Sequence, residues 1–151
     1  MSEEINAALN EVLVRLFRDI NTVEERAVKH SDFKDITVND MHVIDAIDCF
    51  EPKNMSTVAK LLSVTMGTLT ISVNGLVKKG YVERVRSDKD RRVVLISLTE
   101  KGKGAHSWLK AFHRDMIGAV IDGLDLKEEI ILKHGLDKLS AYFSGLLQDI
   151  H

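Results

Sequence analysis

Hydrophobic residues recur at helical spacing through most of this 151-residue chain. They predict a long amphipathic first helix over residues ~4–29 and a last helix over residues ~126–149, whose apolar series continues to Ile150. One copy of so short a chain cannot cover these long apolar faces. Pairing with a second copy is the simplest way to bury them, so we predict a homodimer.

The shorter helices are bounded by residues that favour helix ends. Thr37 is predicted to be the N-cap of a second helix, which stops near Pro52. Thr99 is predicted to cap a fifth helix, which Gly123 ends. These boundaries leave residues 53–98 for a separate group of short elements.

A short helix, a tight turn and a longer helix are predicted between residues 56 and 79, a spacing typical of a helix-turn-helix. Ser56 is placed as the N-cap of the short third helix, and Gly80 as the glycine that follows the fourth. The inward-facing residues of the third helix are predicted to be Val58, Ala59, Leu61 and Leu62.

After Gly80 the hydrophobic period changes from helical spacing to alternation, which predicts a β-hairpin with a polar turn at residues 87–90. The whole order is three helices, a recognition-type helix, a β-wing and two helices. We therefore expect one mainly α domain over residues 1–151, a winged helix-turn-helix. Its DNA-binding lobe would occupy about 37–98, and its dimerisation helices about 1–30 and 100–151.

The charge distribution supports this division. The net charge is −2, but residues 55–92 hold 8 basic and 3 acidic groups, whereas residues 1–54 hold 6 and 12. No acidic residue lies between Met55 and Val77. A basic lobe between acidic flanks suits phosphate binding by one part of the molecule. The alternative is a chance cluster on a solvated face.

The fourth helix offers the residues for base contacts. Leu69, Val73, Leu76 and Val77 share one face and are predicted to pack on the core. On the opposite face, Ile71 can lie against a thymine methyl group, and threonine or asparagine side chains can hydrogen-bond base edges or phosphates. The predicted DNA contacts of this segment are Thr65, Gly67, Thr68, Thr70, Ile71, Ser72, Asn74 and Lys78.

The hairpin adds a basic tip. Arg91 is predicted to enter the minor groove, where narrow A·T-rich tracts concentrate negative potential. Asp88 or Asp90 is predicted to orient Arg92 through a bidentate pair. The alternative is an exposed, salt-bridged turn. The predicted contacts of the wing are Arg84, Arg86, Lys89, Arg91 and Arg92.

The segment SVTMGTLTISVNGLVKKGYVERVRSDKDRRVVLISLTEKG resembles the winged helix-turn-helix of the MarR family, and the helix order extends that resemblance over the whole chain. Three strings, FKDITVNDMHVID, VTMGTLT and FHRDM, are similar to one branch, the FabT repressors. This resemblance implies a repressor of type II fatty-acid synthesis genes that binds a palindromic operator in double-stranded DNA. It also implies acylated acyl carrier protein as the corepressor.

Other function classes find less support. There is no Gly-rich phosphate loop, no G-x-S-x-G and no H-E-x-x-H, so we expect neither an enzyme nor a cofactor. No apolar run approaches the ~20 residues that span a bilayer, and the N-terminus lacks the pattern of a signal peptide, so we expect a cytoplasmic protein.

Three alternatives concern the effector. The FabT resemblance implies an acyl-chain slot between the first, second and fifth helices, although the same residues would also form a plain core. Other MarR relatives respond to zinc, to small phenolic molecules or to oxidants. His42, Asp45 and Cys49 are predicted to share a helix face, but no Lys or Arg within three residues would activate Cys49. The slot candidates are Leu16, Ile20, Met41, His42, Ile44, Trp108, Phe112, His113 and Met116. The alternative zinc set is Glu24, His42, His106 and His113.

Overall fold

Six helices and one two-stranded antiparallel sheet make up the chain in a computed structural model that describes residues 2–149. The elements confirm the predicted class, mainly α with a small β-wing; Ile150 lies outside the described residues. Their bounds are α1 Ser2–Lys29, α2 Val38–Ile47, α3 Met55–Leu62, α4 Met66–Lys78, β1 Val82–Arg86, β2 Val94–Leu98, α5 Glu100–Ile121 and α6 Leu126–Asp149.

The chain divides into two units, residues 1–106 and 107–151. In the first unit α2 is central, because it contacts α1, α3, α4 and β2. Each of these elements contributes fully or almost fully buried apolar side chains, which form one continuous core. Tyr81 and Val82, which follow α4, join this core, and the largest fully buried side chains of the unit are Met41, Ile44, Ile47, Val58, Leu69, Val73, Leu76, Tyr81, Val82 and Ile96.

The N-caps of the short helices follow from local hydrogen bonding. Thr37 forms the predicted cap of α2 as part of a capping box with Asp40. The predicted cap of α3 is wrong: Asn54 Oδ1 accepts the hydrogen bond from the Thr57 N–H at 2.8 Å. Ser56 donates its hydroxyl to the same oxygen at 2.9 Å. Two good capping residues stand two positions apart, and the upstream one caps the helix.

The predicted burial of α3 holds for Val58 and Ala59 but not for Leu61. Leu61 is 61% exposed, and it lines a surface cavity of about 450 Å³. At 3.6 residues per turn, Val58, Ala59 and Leu62 lie on one side of the helix, and Leu61 falls outside that side. Leu62, which was also predicted to face inward, is half-buried.

Helix α2 ends at Ile47, five residues before Pro52. Asp48 adopts a positive φ of 66° with ψ 173°, outside the helical regions, and its N–H donates to the Ile44 carbonyl at 3.1 Å. Cys49 therefore lies beyond the helix, and the predicted helix face shared by His42, Asp45 and Cys49 is wrong.

Lys53, which precedes α3, pairs with β2. Its N–H donates to the Ile96 carbonyl at 3.0 Å, and its carbonyl accepts from the Ile96 N–H at 2.8 Å. This antiparallel bridge, which the sequence pattern did not predict, fixes the wing against the start of the helix-turn-helix.

Tyr81 fastens the start of α5 to the wing. Its side chain is fully buried, its hydroxyl donates to Asp35 Oδ1 at 2.5 Å, and its carbonyl accepts from the Thr99 N–H at 3.0 Å. Burial raises the pKa of the Tyr81 hydroxyl above its ordinary value, and the hydrogen bond from Tyr81 lowers the pKa of Asp35.

Thr99 caps α5, as predicted. Its Oγ1 accepts a hydrogen bond from the Gly102 N–H at 3.1 Å.

The long helices expose much of their apolar surface in the single chain. On α1, Leu9, Val12 and Phe17 are exposed, and on α6, Ile130 and Leu136 are exposed. Among the described residues no single helix is long and apolar enough to cross a membrane. Taken together, α3 and α4 reach the length and apolar composition of a membrane span, but the two helices are bent by 109° relative to each other.

Candidate nucleic-acid interface

The α3–turn–α4 unit has helix-turn-helix geometry. The two helices meet at 109° across a three-residue turn, within the range of this motif. Ser63 makes the turn possible by adopting the left-handed conformation at φ 53°, with its N–H bonded to the end of α3. Thr65 then caps α4, accepting from the Thr68 N–H at 3.2 Å.

Helix α4 separates its faces as predicted. Leu69, Val73 and Leu76 are buried in the core, and Val77 is half-buried. The opposite face is open: Ile71 is 76% exposed. No carboxylate lies on the helix, so nothing on this face repels a phosphate group. The other candidate contacts are Thr65, Gly67, Thr68, Thr70, Asn74 and Lys78, which are exposed, and Ser72, which is half-buried.

Several polar groups on this face already have hydrogen-bond partners. Thr70 donates its hydroxyl to the Met66 carbonyl at 2.7 Å, and the Thr65 hydroxyl donates to Thr68 Oγ1 at 3.0 Å. Arg84 of β1 donates from Nη2 to Asn74 Oδ1. The last contact joins the wing to α4, a link that sequence spacing gave no signal for.

The wing loop is longer than the four-residue turn predicted. The strands pair from Val82 opposite Leu98 to Arg86 opposite Val94, so residues 87–93 form the loop. The Ser87 N–H donates to the Val93 carbonyl at 2.9 Å and closes this loop. Lys89, Arg91 and Arg92 consequently all lie on the projecting loop, and each is exposed.

Arg86 and Arg92 make hydrogen bonds within the wing, whereas the side chain of Arg91 is exposed at its tip. Arg92 makes a bidentate pair with Asp90, with Nε–Oδ1 at 3.1 Å and Nη2–Oδ2 at 3.2 Å. The pKa of Asp90 is lowered mainly by this hydrogen bonding. Arg86 donates from Nη1 to the Arg91 carbonyl at 2.8 Å and so supports the backbone at the tip. Of the two predicted partners of Arg92, Asp90 rather than Asp88 makes the pair.

The predicted acyl-slot residues fall in both units. In the first unit Met41 and Ile44 are fully buried core residues, Ile20 and His42 are half-buried, and Leu16 is exposed. In the second unit the rings of Trp108 and Phe112 stack with centroids 5.6 Å apart. His113 and Met116 are half-buried there.

In the first unit, members of the predicted zinc set have different neighbours. Glu24 Oε2 lies 3.5 Å from His42 Nε2. His106 instead places Nδ1 3.1 Å from Cys49 Sγ. Within residues 2–149, three different ligand atoms come together at Asp48, Cys49 and His106.

Known regulators resemble this chain over most of its length. Residues 28–107 match the family described as Transcriptional regulator SarA/Rot. SarZ of Staphylococcus haemolyticus is 34% identical over 102 residues, which cover 66% of this chain and 69% of that protein. SarZ of Staphylococcus aureus is 40% identical over 73 residues, which cover 48% of this chain and about half, 49%, of that protein.

Solved structures agree. The crystal structure of Streptococcus pneumoniae FabT in complex with DNA has a TM-score of 0.89 and 41% identity, covering 93% of this chain and 99% of that chain. A MarR family protein from Bacillus stearothermophilus, 19% identical, shares the fold with a TM-score of 0.78, covering 95% of this chain and 99% of that chain.

Proposed function

We infer that this chain, which belongs to the SarA/Rot family of transcriptional regulators and has the winged-helix fold of MarR-type regulators, is a transcription regulator and not an enzyme. We propose that it works in the cytoplasm as a homodimeric repressor that binds a palindromic operator. One observation carries the proposal: the 41% identity to a FabT solved with DNA extends over almost the whole of that chain.

The exposed apolar faces of α1 and α6 support the homodimer. Large side chains such as Phe17 on α1 and Ile131 on α6 are 64% and 71% exposed, and several large apolar side chains exposed on one helix usually mark an interface. In a two-fold dimer the same faces meet in both copies, and the two α4 helices would reach half-sites about one helical turn apart.

The exposed face of α4 supports major-groove binding. It combines a methyl-bearing Ile71 with hydroxyl and amide groups, and it lacks carboxylates. The loop at residues 87–93 extends beyond the paired strands, so its arginines would lie over a flanking minor groove. In this arrangement Arg91 contacts the groove, and Arg86 and Asp90 hold the loop in shape.

Replacement of Arg91 by alanine should weaken operator binding about tenfold with little loss of fold, because the side chain is exposed. The slope of log affinity against log salt should also flatten by about one unit, the value for one lost phosphate contact. Fluorescence anisotropy with a duplex selected by the wild-type protein measures both. Arg114→Ala is the control, since it removes the same charge from an exposed arginine on α5. Equal affinity of R91A and wild type would refute the role given to the wing tip.

The effector we propose is a long-chain acyl group carried by acyl carrier protein, and the regulated genes are those of type II fatty-acid synthesis. Two observations support both parts of this proposal. The strings FKDITVNDMHVID, VTMGTLT and FHRDM are similar to FabT repressors, and the identity to the solved FabT is 41% over 93% of this chain. The ligand would act by shifting the population of dimers whose two α4 helices are spaced for the operator.

Long-chain acyl carrier protein should tighten operator binding severalfold, whereas the unacylated carrier should leave it unchanged. The difference depends on the acyl chain alone, so a titration of both carriers against one operator duplex isolates it. An identical effect of the two carriers, or an effect of neither, would rule out the proposed corepressor while leaving DNA binding itself intact.

A further inference from the structure

A cluster of metal-binding side chains lies where α2 ends and α5 begins, away from α4 and the wing. It consists of Asp45 on α2, Asp48 and Cys49 just after it, and His106 on α5. The imidazole of His106 lies between the others, with Nδ1 3.1 Å from Cys49 Sγ and Nε2 3.5 Å from Asp45 Oδ1. Asp48 Oδ1 lies 3.6 Å from the same Nε2. These four residues form the thiol–imidazole cluster.

The cluster is sheltered but reachable. The side chain of His106 is 12% exposed, and both Asp48 and Cys49 are half-buried. His106 Nε2 is buried and makes no hydrogen bond to the described residues, because both carboxylate oxygens stand beyond hydrogen-bond distance. Asp45, Asp48 and His42 also line a surface cavity of about 450 Å³, which gives a small ion access to this region.

The charges around the cluster favour a cation over a free thiolate. Burial and the carboxylate of Asp48 raise the pKa of Cys49, and Glu100 adds to the effect. The two lysines that oppose it donate elsewhere: Lys53 Nζ donates to the Ile47 carbonyl at 2.5 Å, and Lys103 Nζ donates to Glu100 at 3.0 Å. A divalent cation would supply the missing positive charge, and it would displace the thiol proton to solvent.

We propose that Cys49, His106 and Asp48 bind a zinc ion, with Cys49 Sγ, His106 Nδ1 and an Asp48 oxygen as ligands. One possible ligand atom from each of the three residues, a ring nitrogen in the case of His106, lies within 4.8 Å of the other two. Zinc takes thiolate sulfur at about 2.3 Å and imidazole nitrogen at about 2.1 Å, so its ligand atoms stand roughly 3.5 Å apart, and side-chain movements of up to about 1 Å would seat it.

Asp45 has a different part in this site. With Nδ1 on the metal, Nε2 of His106 carries the ring proton and faces the Asp45 carboxylate. A carboxylate behind a ligating histidine fixes the orientation of the ring and makes the nitrogen a better ligand. The donor set of sulfur, nitrogen and oxygen leaves a fourth tetrahedral position for water.

Cobalt(II) is the probe for the test, because a cobalt–thiolate bond absorbs in the near ultraviolet and this chain has one cysteine. Full-length protein under reducing conditions should develop this band up to one equivalent of cobalt per chain, and added zinc should remove it. Cys49→Ser should abolish the band and weaken zinc binding at least about tenfold, as measured by competition with a chromophoric chelator.

Two further variants make the assignment specific. Asp45→Asn should keep the band but weaken zinc binding about tenfold, since it removes only the carboxylate behind the ring. His30→Asn removes an exposed imidazole that bonds to the Arg26 carbonyl at the end of α1, and it should change neither the band nor the affinity. Absence of the band in wild type, zinc binding unaffected by C49S, or loss of the band in H30N would each overturn the proposal.

Discussion

Replacement of Ile71 by glutamate should weaken operator binding at least about 100-fold, equivalent to about 2.8 kcal/mol, while leaving the protein folded. Ile71 is 76% exposed at the centre of the open face of α4, so the new side chain needs no space in the core. Its carboxylate would face the polyanionic duplex, and no basic residue lies three or four positions away on α4 to pair with it. Like charges brought together in an interface cost several kcal/mol.

Phe50→Glu is the matched control for Ile71→Glu. Phe50 is an apolar residue that is 86% exposed, and it lies outside both α4 and the wing. Both variants change the net charge by the same amount, so any general electrostatic loss appears in both. Anisotropy titrations at one salt concentration should separate them by about two orders of magnitude. If the two variants bind equally well, α4 is not the element that enters the major groove.

Gly102→Ala should lower the free energy of unfolding by about 3 kcal/mol and the melting temperature by roughly 10 °C. An added Cβ would stand 2.1 Å from the Tyr81 carbonyl oxygen, which is backbone and cannot rotate away. The first turn of α5 would have to move, and the hydrogen bond from the Thr99 N–H to that carbonyl would be lost. Chemical denaturation of wild type and variant at one protein concentration measures the difference.

Gly104→Ala provides the comparison two residues further along α5. Its added Cβ would meet the Phe33 ring at 3.7 Å, an ordinary contact. Alanine has the higher helix propensity by about 1 kcal/mol, so this variant should unfold at the same or higher denaturant concentration than wild type. A G102A protein as stable as G104A would show that the contact with Tyr81 places no constraint on α5.

The sequence pattern predicted the elements because their apolar spacing is local information. The face of α4 that carries Leu69, Val73 and Leu76 follows from its own 13 residues, and burial there agrees with the prediction. The end of α2 did not follow in this way. Asp48 leaves the helix with a positive φ that its sequence neighbours do not require, and Pro52 is the wrong marker of that boundary.

At the candidate sites, contacts between residues close in sequence could be predicted, whereas contacts between distant residues could not. Arg92 and Asp90 are two residues apart, and a pair between them could be anticipated from the string DKDRR. Cys49 and His106 are 57 residues apart and meet only because α5 packs near the end of α2. The sequence pattern placed His42 and Asp45 on one helix face with the thiol, and only the folded chain places the imidazole of His106 beside it.

The hydrogen bond from Arg84 to Asn74 has a consequence for how operators are discriminated. Asn74 Oδ1 has two lone pairs, so it can accept from Arg84 and from an adenine amino group together. A base change under α4 that shifts Asn74 would then also displace Arg84 and the strand behind the wing loop. The penalties for operator mutations in the two grooves should therefore be non-additive, and a position weight matrix that treats them as independent would misrank the sites in a genome.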